Sequence, residues 1–278
     1  MKPHKLTGLF FITLAFIFTT TNGFAKQKDE LLFGSVAMDI PAAMHKRLKP
    51  LTQYLSKELG QPVLLKLSPN MGAAINEVAD KKVTLAYLTP VAYLKAHKKG
   101  GAKIVAKTVT KGKASFQLMI VVKEDSPIKT VADLKGKTFA FGDEKALLQR
   151  AAVVGAGVKL EDFSSYKFIG HYDNIARGVS NGDFDAGILK DTKAFKWEGK
   201  GLRILAASPD LPPYNIAANG DISDELLAKL KKAFLGLDQN NPEHLKVIKA
   251  VAKKYTGFAS TNDAEYDIVR KLIKPFNK

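Results

Sequence analysis

The side chains best suited to chemistry follow strand-like segments in the second half of the chain. His171 comes directly after the strand-like segment 167–170, and Asp191 follows another one, 184–189. In layered α/β proteins, ligands bind at the carboxyl ends of strands. A histidine there can donate a hydrogen bond to an anionic oxygen, and a carboxylate can meet a cationic group. The pair therefore predicts a site for a small polar solute, although either residue could also be a loop residue with backbone or solvent partners.

The sequence lacks patterns that would make such a site catalytic. It contains no His-Glu-x-x-His and no Gly-x-Gly-x-x-Gly, and the absence of Cys excludes thiolate nucleophiles, disulfides and Cys-based metal sites. We predict a binding protein, not an enzyme, with no cofactor and no metal. An enzyme would need an acid–base pair in the site. The five His are scattered along the chain: His4, His45, His97, His171 and His244.

Residues 1–25 are organised like a secretory signal peptide. Lysines precede an apolar segment, 9–18, and the small residues Gly23 and Ala25 occupy the positions that signal peptidase recognises. We expect cleavage after Ala25. The alternative, a membrane anchor, would need about 20 apolar residues. Without a Cys to carry lipid, the mature protein is expected to be free in the periplasm.

The formal net charge of +16 raises the question of an anionic partner. An anionic solute, anionic lipid or nucleic acid would all fit the sign of the charge. The lysines are scattered over helical segments and are not interleaved with aromatic residues, as they would be on a platform for single-stranded nucleic acid. We therefore interpret most of the charge as a solvated surface and predict no nucleic-acid partner.

Strand-like and helical patterns alternate along the chain, which is typical of layered α/β proteins. Pro50 could kink or split the first helix. The predicted strands are 31–36, 62–67, 83–88, 102–108, 116–122, 138–141, 167–170, 184–189 and 202–207. The predicted helices are 42–59, 72–79, 91–97, 145–154, 174–180, 224–235, 242–255 and 263–273.

Four stretches resemble, in the same order, the phosphonate-, phosphite- and phosphate-type substrate-binding proteins of ABC importers. The resemblance implies a type 2 periplasmic-binding fold, with two lobes that each contain a central mixed sheet flanked by helices, and a hinge of two crossings near residues 126 and 208. Lobe 1 would take residues 26–120 and 208–278, and lobe 2 residues 121–207. The four stretches are 48–63, 83–93, 125–141 and 170–187, and residues 208–213 resemble the family's return crossing.

The resemblance also implies ligand contacts in the cleft between the lobes. His171 stands where the family has a ligand-facing His, and Asp191 where it has a Glu. Met71 replaces a ligand-facing Tyr, and Tyr214 replaces an acidic residue. Together with the residues after the first and third strands, the candidates on this basis are His171, Asp191, Met71, Tyr214, Thr89, Tyr93 and Asp39.

The family's anion cradle is missing. Family members have Ser-Thr-Ser-Gly at the start of the first helix of lobe 2, where hydroxyls and backbone N–H groups hold phosphoryl oxygens. This chain has Gly-Asp-Glu-Lys at residues 142–145. Asp143 is predicted to cap the helix and would repel an anion, whereas Lys145 could attract one or simply lie on an exposed face. The resemblance therefore implies the family's fold with different residues in the binding pocket.

The expected function is capture of a small solute and its delivery to an ABC permease at the inner membrane. The resemblance implies an oxyanion such as a phosphonate, phosphite or phosphate, and a monomeric protein. Two alternatives stay open on the sequence. The liganded lobes could dock on a sensor kinase, or the scaffold could carry a hydrolase or transferase.

Overall fold

The structure is a computed structural model that describes Met1, residues 30–36 and residues 41–277. The predicted signal peptide beyond Met1 and the candidate Asp39 lie outside the described residues. The strands are β1 (Leu31–Val36), β2 (Val63–Ser68), β3 (Leu85–Leu88), β4 (Lys103–Thr110), β5 (Leu118–Lys123), β6 (Thr138–Phe141), β7 (Ser165–Phe168), β8 (Ala186–Lys190), β9 (Leu202–Ala207), β10 (Asn215–Ala218) and β11 (Tyr255–Ala259). The helices are α1 (Pro41–Leu59), α2 (Met71–Ala79), α3 (Pro90–Gly100), α4 (Leu147–Gly155), α5 (Tyr172–Asn181), α6 (Asp191–Trp197), α7 (Asp224–Leu235), α8 (Pro242–Val251) and α9 (Asp267–Ile273).

Sheet one has the strand order β11-β4-β10-β3-β1-β2. Strand β1 pairs in parallel with β2 and β3, whereas β10 runs antiparallel to β3 and β4, and β11 antiparallel to β4. Strands β1 to β4 therefore all point the same way. Their carboxyl ends lie at one edge of the sheet, together with the first residues of β10 and β11.

Sheet two has the strand order β7-β6-β8-β5-β9. Strand β6 is parallel to β7 and β8, and β5 is antiparallel to β8 and β9. The carboxyl ends of β6, β7 and β8 share an edge with the start of β5 and the end of β9. Both sheets are mixed, as the family resemblance implies.

Two crossings join the sheets at these edges. Residues 111–117 lead from β4 to β5, and residues 208–214 lead from β9 to β10. Phe116 and Leu211 exchange backbone hydrogen bonds of 3.0 and 2.8 Å, so the crossings pair with each other. The edge of sheet one at which β1 to β4 end therefore faces, across a cleft, the edge of sheet two at which β6 to β8 end. The predicted crossing near Ser126 is wrong, because Ser126 follows β5 and the chain has already entered sheet two.

Helix α1 illustrates how the sequence pattern produces the packing. Its buried apolar residues recur every three or four positions, which forms one stripe against sheet one and helices α7 and α8. Pro50 lies inside α1 without splitting it. Gly60, with a φ of 63°, ends the helix in the left-handed conformation that glycine adopts without steric cost. The stripe consists of Met44, Leu48, Leu51, Leu55 and Leu59.

The C-terminal segment contacts elements of both sheets. Although β11 belongs to sheet one, α9 packs against α4, which follows a strand of sheet two. A Cβ on Gly155 of α4 would lie 2.5 Å from Leu272 Cδ2, so the two helices pack closely here and a larger residue would require the Leu272 side chain to move. Helix α9 also packs against α3. The lobe boundaries at residues 120 and 208 stay a prediction.

Several elements differ from the sequence prediction. Strands β10 and β11 and helix α6 were not expected, the predicted helix 242–255 ends at Val251, and the α-helix within the predicted helix 263–273 begins at Asp267. Ala252 has an extended backbone (φ −159°), after which β11 begins at Tyr255. Within the described part of the chain, no helix combines the length and apolarity needed to cross a membrane.

Candidate ligand-binding site

A tyrosine cluster forms the sheet-one wall of the cleft. Tyr87 near the end of β3 is 7% exposed, and its hydroxyl is hydrogen-bonded to that of Tyr255 at the start of β11. The Tyr214 ring stacks on Tyr87, with a centroid distance of 5.0 Å and an interplanar angle of 16°. Tyr214 is 36% exposed, so its ring contributes surface to the cleft.

Burial keeps these tyrosines in the neutral form. Burial, followed by the neighbouring hydroxyls, raises the pKa of Tyr87 well above its ordinary value of 10. Burial likewise raises the pKa of Tyr214 and that of Tyr255. Arg47 on the exposed face of α1 acts in the opposite direction on the pKa of Tyr87, without overcoming burial. The cluster therefore offers neutral O–H groups and aromatic faces, which suit a polar organic solute.

Gln149 and Tyr172 form the sheet-two wall. The buried Gln149 side chain accepts a hydrogen bond from Gly142 N (2.8 Å) and donates one to the Tyr172 hydroxyl (3.4 Å). Burial raises the pKa of Tyr172. Tyr172 also contributes, after burial and Tyr255, to the raised pKa of Tyr214. Sequence reasoning missed Gln149, Tyr172 and Tyr255, because a helix Gln and two Tyr carry no motif.

The predicted contacts of sheet two lie at its facing edge, but they do not form one cluster. His171 precedes α5 with an exposed side chain that does not cap the helix. Asp191 is 9% exposed and begins α6 instead of lying in a loop. Its Oδ2 accepts from Gln117 N (3.2 Å) and its Oδ1 from Thr192 N (2.5 Å). Asp191 thereby fastens the end of β8 to the first crossing.

The predicted contacts of sheet one are also divided. Thr89 caps α3, since its Oγ1 accepts from Ala92 N (3.2 Å). Met71 is the first residue of α2 and is half-buried against the core. Tyr93 is 1% exposed and donates to Asp263 Oδ1 (2.6 Å), so its hydroxyl is already engaged in the core. Of the sheet-one candidates that the structure describes, Tyr214 alone shares the tyrosine cluster.

The start of α4 differs from the prediction. Helix α4 begins at Leu147, and its capping position is Ala146, which has no side-chain hydrogen bond. The prediction that Asp143 caps the helix is therefore wrong. Asp143 Oδ1 accepts from Lys145 N (2.7 Å) in a separate turn. Because an Asx-type hydrogen bond closes this turn locally, the helix starts four residues after Asp143. Asp143 and Lys145 are both exposed.

A Gly-x-Ser-x-Gly pattern occurs at residues 178–182. In hydrolases this pattern places the nucleophile at a sharp turn between a strand and a helix. Ser180 instead lies in the last turn of α5, and the residue after the helix, Gly182, has a φ of 87°. The match is a helix ending, not a nucleophile elbow. In the described ranges, no group of three or more His, Asp and Glu is arranged to hold a metal ion.

A cavity of about 440 Å³ opens beside the first crossing. It lies between the turn after β4, the crossing itself and helix α6. Asp191 is the acidic residue in its wall, and the other charged residues there are lysines. The lining residues with polar or charged side chains are Thr110, Lys111, Lys113, Ser115, Lys190, Asp191, Thr192 and Lys196.

Solved structures share this fold. A Xanthomonas citri protein bound to ATP superposes with a TM-score of 0.71 at 18% identity, covering 87% of this chain and 95% of that one. PhnD1 from Prochlorococcus marinus, in complex with methylphosphonate, gives a TM-score of 0.67 at 21% identity over 90% and 98% of the two chains. The periplasmic aliphatic sulphonate binding protein SsuA of Escherichia coli gives 0.57 at 19% identity, over 89% and 86%. The fold is that of periplasmic binding proteins, which confirms the predicted class.

Residues 33–266 match the family of periplasmic phosphonate substrate-binding proteins of ABC transporters. The chain belongs to this family, as its sequence resemblance indicates. It is 23% identical over 263 residues to the phosphonates-binding periplasmic protein of Escherichia coli strain K12, covering 89% of this chain and 77% of that protein. It is 24% identical over 282 residues to the phosphate-import protein PhnD of Mycolicibacterium smegmatis, covering 91% and 87%. The family is periplasmic, binds small solutes and works with an ABC permease.

Proposed function

We propose that this protein captures a small oxyanion-bearing solute between its two sheets and delivers it to the permease of an ABC importer. The observation that carries the proposal is the cleft itself. The facing edges bring the tyrosine cluster of sheet one opposite Gln149 and Tyr172 of sheet two. In the described part of the chain, two crossings and the packing of α9 on α4 connect the two sides of the cleft, so solute binding can favour a closed state over an open one.

The relatives' names support an oxyanion as the solute. One relative is named for phosphonates, another for phosphate import, and one solved structure holds methylphosphonate. Contacts at the start of α4 point to a changed binding mode. A Cβ on Gly142 would lie 2.8 Å from Gln149 Nε2 and 2.9 Å from Gly170 O, so the space beside this turn is already filled. The solute would therefore be held by other groups of the cleft.

The test begins with a thermal-shift screen of the mature protein, residues 26–278. Phosphate, phosphite, alkylphosphonates, aminoalkylphosphonates and sulfate would be screened beside amino acids and nucleobases. A solute at 100 times its dissociation constant should add about 2.7 kcal/mol of stability, which corresponds to several degrees. Small-angle scattering should then show a smaller radius of gyration with the solute bound. A protein that neither stabilises nor contracts with any solute would contradict capture.

A matched pair of variants locates the site. Tyr214→Ala removes the ring that stacks on Tyr87 at the cleft, and should weaken solute binding at least fivefold. Tyr166→Ala removes a tyrosine of nearly equal exposure, 39% against 36%, near the amino-terminal end of β7 and away from the cleft. Isothermal titration should find this control within twofold of wild type. Equal losses in both variants would mean that the cleft is not where the solute binds.

A further inference from the structure

The cavity beside the first crossing gathers positive charge from three segments. Lys111 and Lys113 come from the turn after β4, Lys190 ends β8, and Lys196 lies on α6. The one carboxylate in the wall, Asp191, has both oxygens engaged by backbone N–H groups. Four lysines thus face one acid whose hydrogen bonds are already made.

Apart from the Phe116 ring beside Lys190, the described part of the chain gives the ammonium groups of these four lysines no direct partner. Within the described ranges, none of their ammonium groups forms an ion pair or hydrogen bond with the protein. By contrast, the ammonium group of Lys193, also on α6, forms an ion pair with Asp173 (2.6 Å). Lys111, Lys113 and Lys196 are exposed and Lys190 is half-buried, so together they present four positive charges to a solute that enters the cavity. The lining is therefore suited to an anion that comes from outside the chain.

Lys190 is the most confined of the four. It is half-buried, and its ammonium lies 4.6 Å from the centroid of the Phe116 ring. Burial lowers its pKa, the nearby Asp191 carboxylate raises it, and Lys254 lowers it further. Because Phe116 belongs to the crossing, Lys190 lies where the two sheets are joined.

The turn that carries Lys111 and Lys113 is rigid and conformationally costly. Lys111 has a φ of 51° and Gly112 a φ of 79°, which is the pattern of a type I′ turn. Thr110 and Lys113 exchange backbone hydrogen bonds of 2.9 and 3.0 Å, and Gly112 N donates to Thr256 Oγ1 (3.0 Å). A left-handed backbone is unfavourable for lysine.

We infer that this cavity holds the anionic end of the captured solute, and that this end is a phosphoryl or phosphonyl group with two negative charges. The inference rests on the proposed function and moves the anion from the start of α4 to the lysines beside the hinge. Thr110, Ser115 and Thr192 supply hydroxyl donors in the same wall. A volume of about 440 Å³ is in the range of sites for whole organic ligands, which favours an organic phosphate or phosphonate over the bare ion.

The experiment is isothermal titration at low ionic strength with methylphosphonate, glycerol 3-phosphate and inorganic phosphate. Lys190→Met and Lys113→Met should each weaken the tightest of these at least tenfold, and the losses should shrink as salt is added. Lys232→Met removes the same charge from an exposed position on α7, outside the cavity, and should stay within twofold.

Lys111→Gly tests the ammonium of Lys111 in a variant whose weaker binding would not result from misfolding. Glycine adopts the left-handed turn freely, so this variant should melt no lower than wild type and still bind severalfold more weakly. A Lys111→Gly protein that binds as tightly as wild type would count against a role for that ammonium.

Small-angle scattering on the same samples separates the inference from the proposed function. A solute that contracts the protein with equal affinity in wild type and in the lysine variants would overturn the cavity assignment and leave capture intact. Lysine-dependent anion binding without contraction would support the cavity and contradict capture. If wild type binds none of the three anions at millimolar concentration, the inference fails, and contraction by a neutral or cationic solute would still support capture.

Discussion

Replacement of Asp263 should destabilise the protein, because the buried Tyr93 hydroxyl would lose its hydrogen-bond acceptor. Asp263 accepts from the Tyr93 hydroxyl (2.6 Å) and forms a two-pronged ion pair with Arg270 (2.6 and 2.8 Å). A hydrogen bond to a charged group contributes about 1.5–3 kcal/mol, and a part-exposed ion pair about 0–1 kcal/mol. Asp263→Ala should therefore cost about 2–3 kcal/mol, which lowers the melting temperature by roughly 5–10 °C.

A double-mutant cycle tests this reasoning by urea unfolding at pH 7. Tyr93→Phe removes the buried hydroxyl, so Asp263→Ala in that background should lose only the part-exposed ion pair, about 1 kcal/mol or less. The expected coupling between the two residues is then about 1–2 kcal/mol. If Asp263→Ala costs the same in both backgrounds, the Tyr93 hydroxyl does not depend on Asp263 and the reasoning is refuted.

Three further predictions use other parts of the chain. Burial raises the pKa of Asp263, but hydrogen bonds from Arg270 and Tyr93 outweigh it and hold that pKa below 3.8. The pKa-linked part of the stabilisation is present above pH 3.8 and is lost as the pH falls through the folded-state value, so the stability difference between wild type and Asp263→Ala should shrink there. Gly142→Ala should lower the free energy of unfolding in urea by about 1–3 kcal/mol, because the new Cβ would lie 2.9 Å from Gly170 O. As a control, Gly72→Ala in the first turn of α2, where the nearest atom would be 3.2 Å away, should be neutral or stabilising. Mass spectrometry of the exported protein should find residue 26 at its amino terminus, and an intact amino terminus would contradict the predicted cleavage.

The fold was predictable where periodicity and end signals agree. Helix α7 begins after the capping residue Ser223 and was predicted with its observed bounds, 224–235. Strand β10 was missed because its four residues, Asn-Ile-Ala-Ala, are buried throughout and show no alternation. Helix 242–255 was extended too far because the apolar spacing continues past Val251, although the backbone turns extended at Ala252.

The candidate site was less predictable than the fold. Topology places His171 and Asp191 at one edge, as expected from residues that follow strands. It cannot indicate whether their polar atoms are free, and each carboxylate oxygen of Asp191 already accepts a backbone hydrogen bond. Tyr93 lies one helical turn beyond Thr89, yet its hydroxyl reaches Asp263, 170 residues later, which no local pattern reveals. Contacts of this kind depend on tertiary packing, which sequence spacing does not encode.

Gln149 gives a physical reason to look for the anion away from α4. A cradle at a helix start requires free N–H groups and open space in front of them. Here the Gly142 N–H donates to Gln149, the Leu147 N–H donates to Lys145 O, and the Gln149 amide fills the space beside Gly142. A solute that kept its anion at this turn would have to displace a buried side chain and meet exposed Asp143. On the other side of the cleft edge, unpaired lysines surround a cavity of about 440 Å³. An anion placed there would displace no protein hydrogen bond of these lysines and would meet four positive charges. Binding at the basic cavity would therefore explain why the start of α4 no longer offers an anion site.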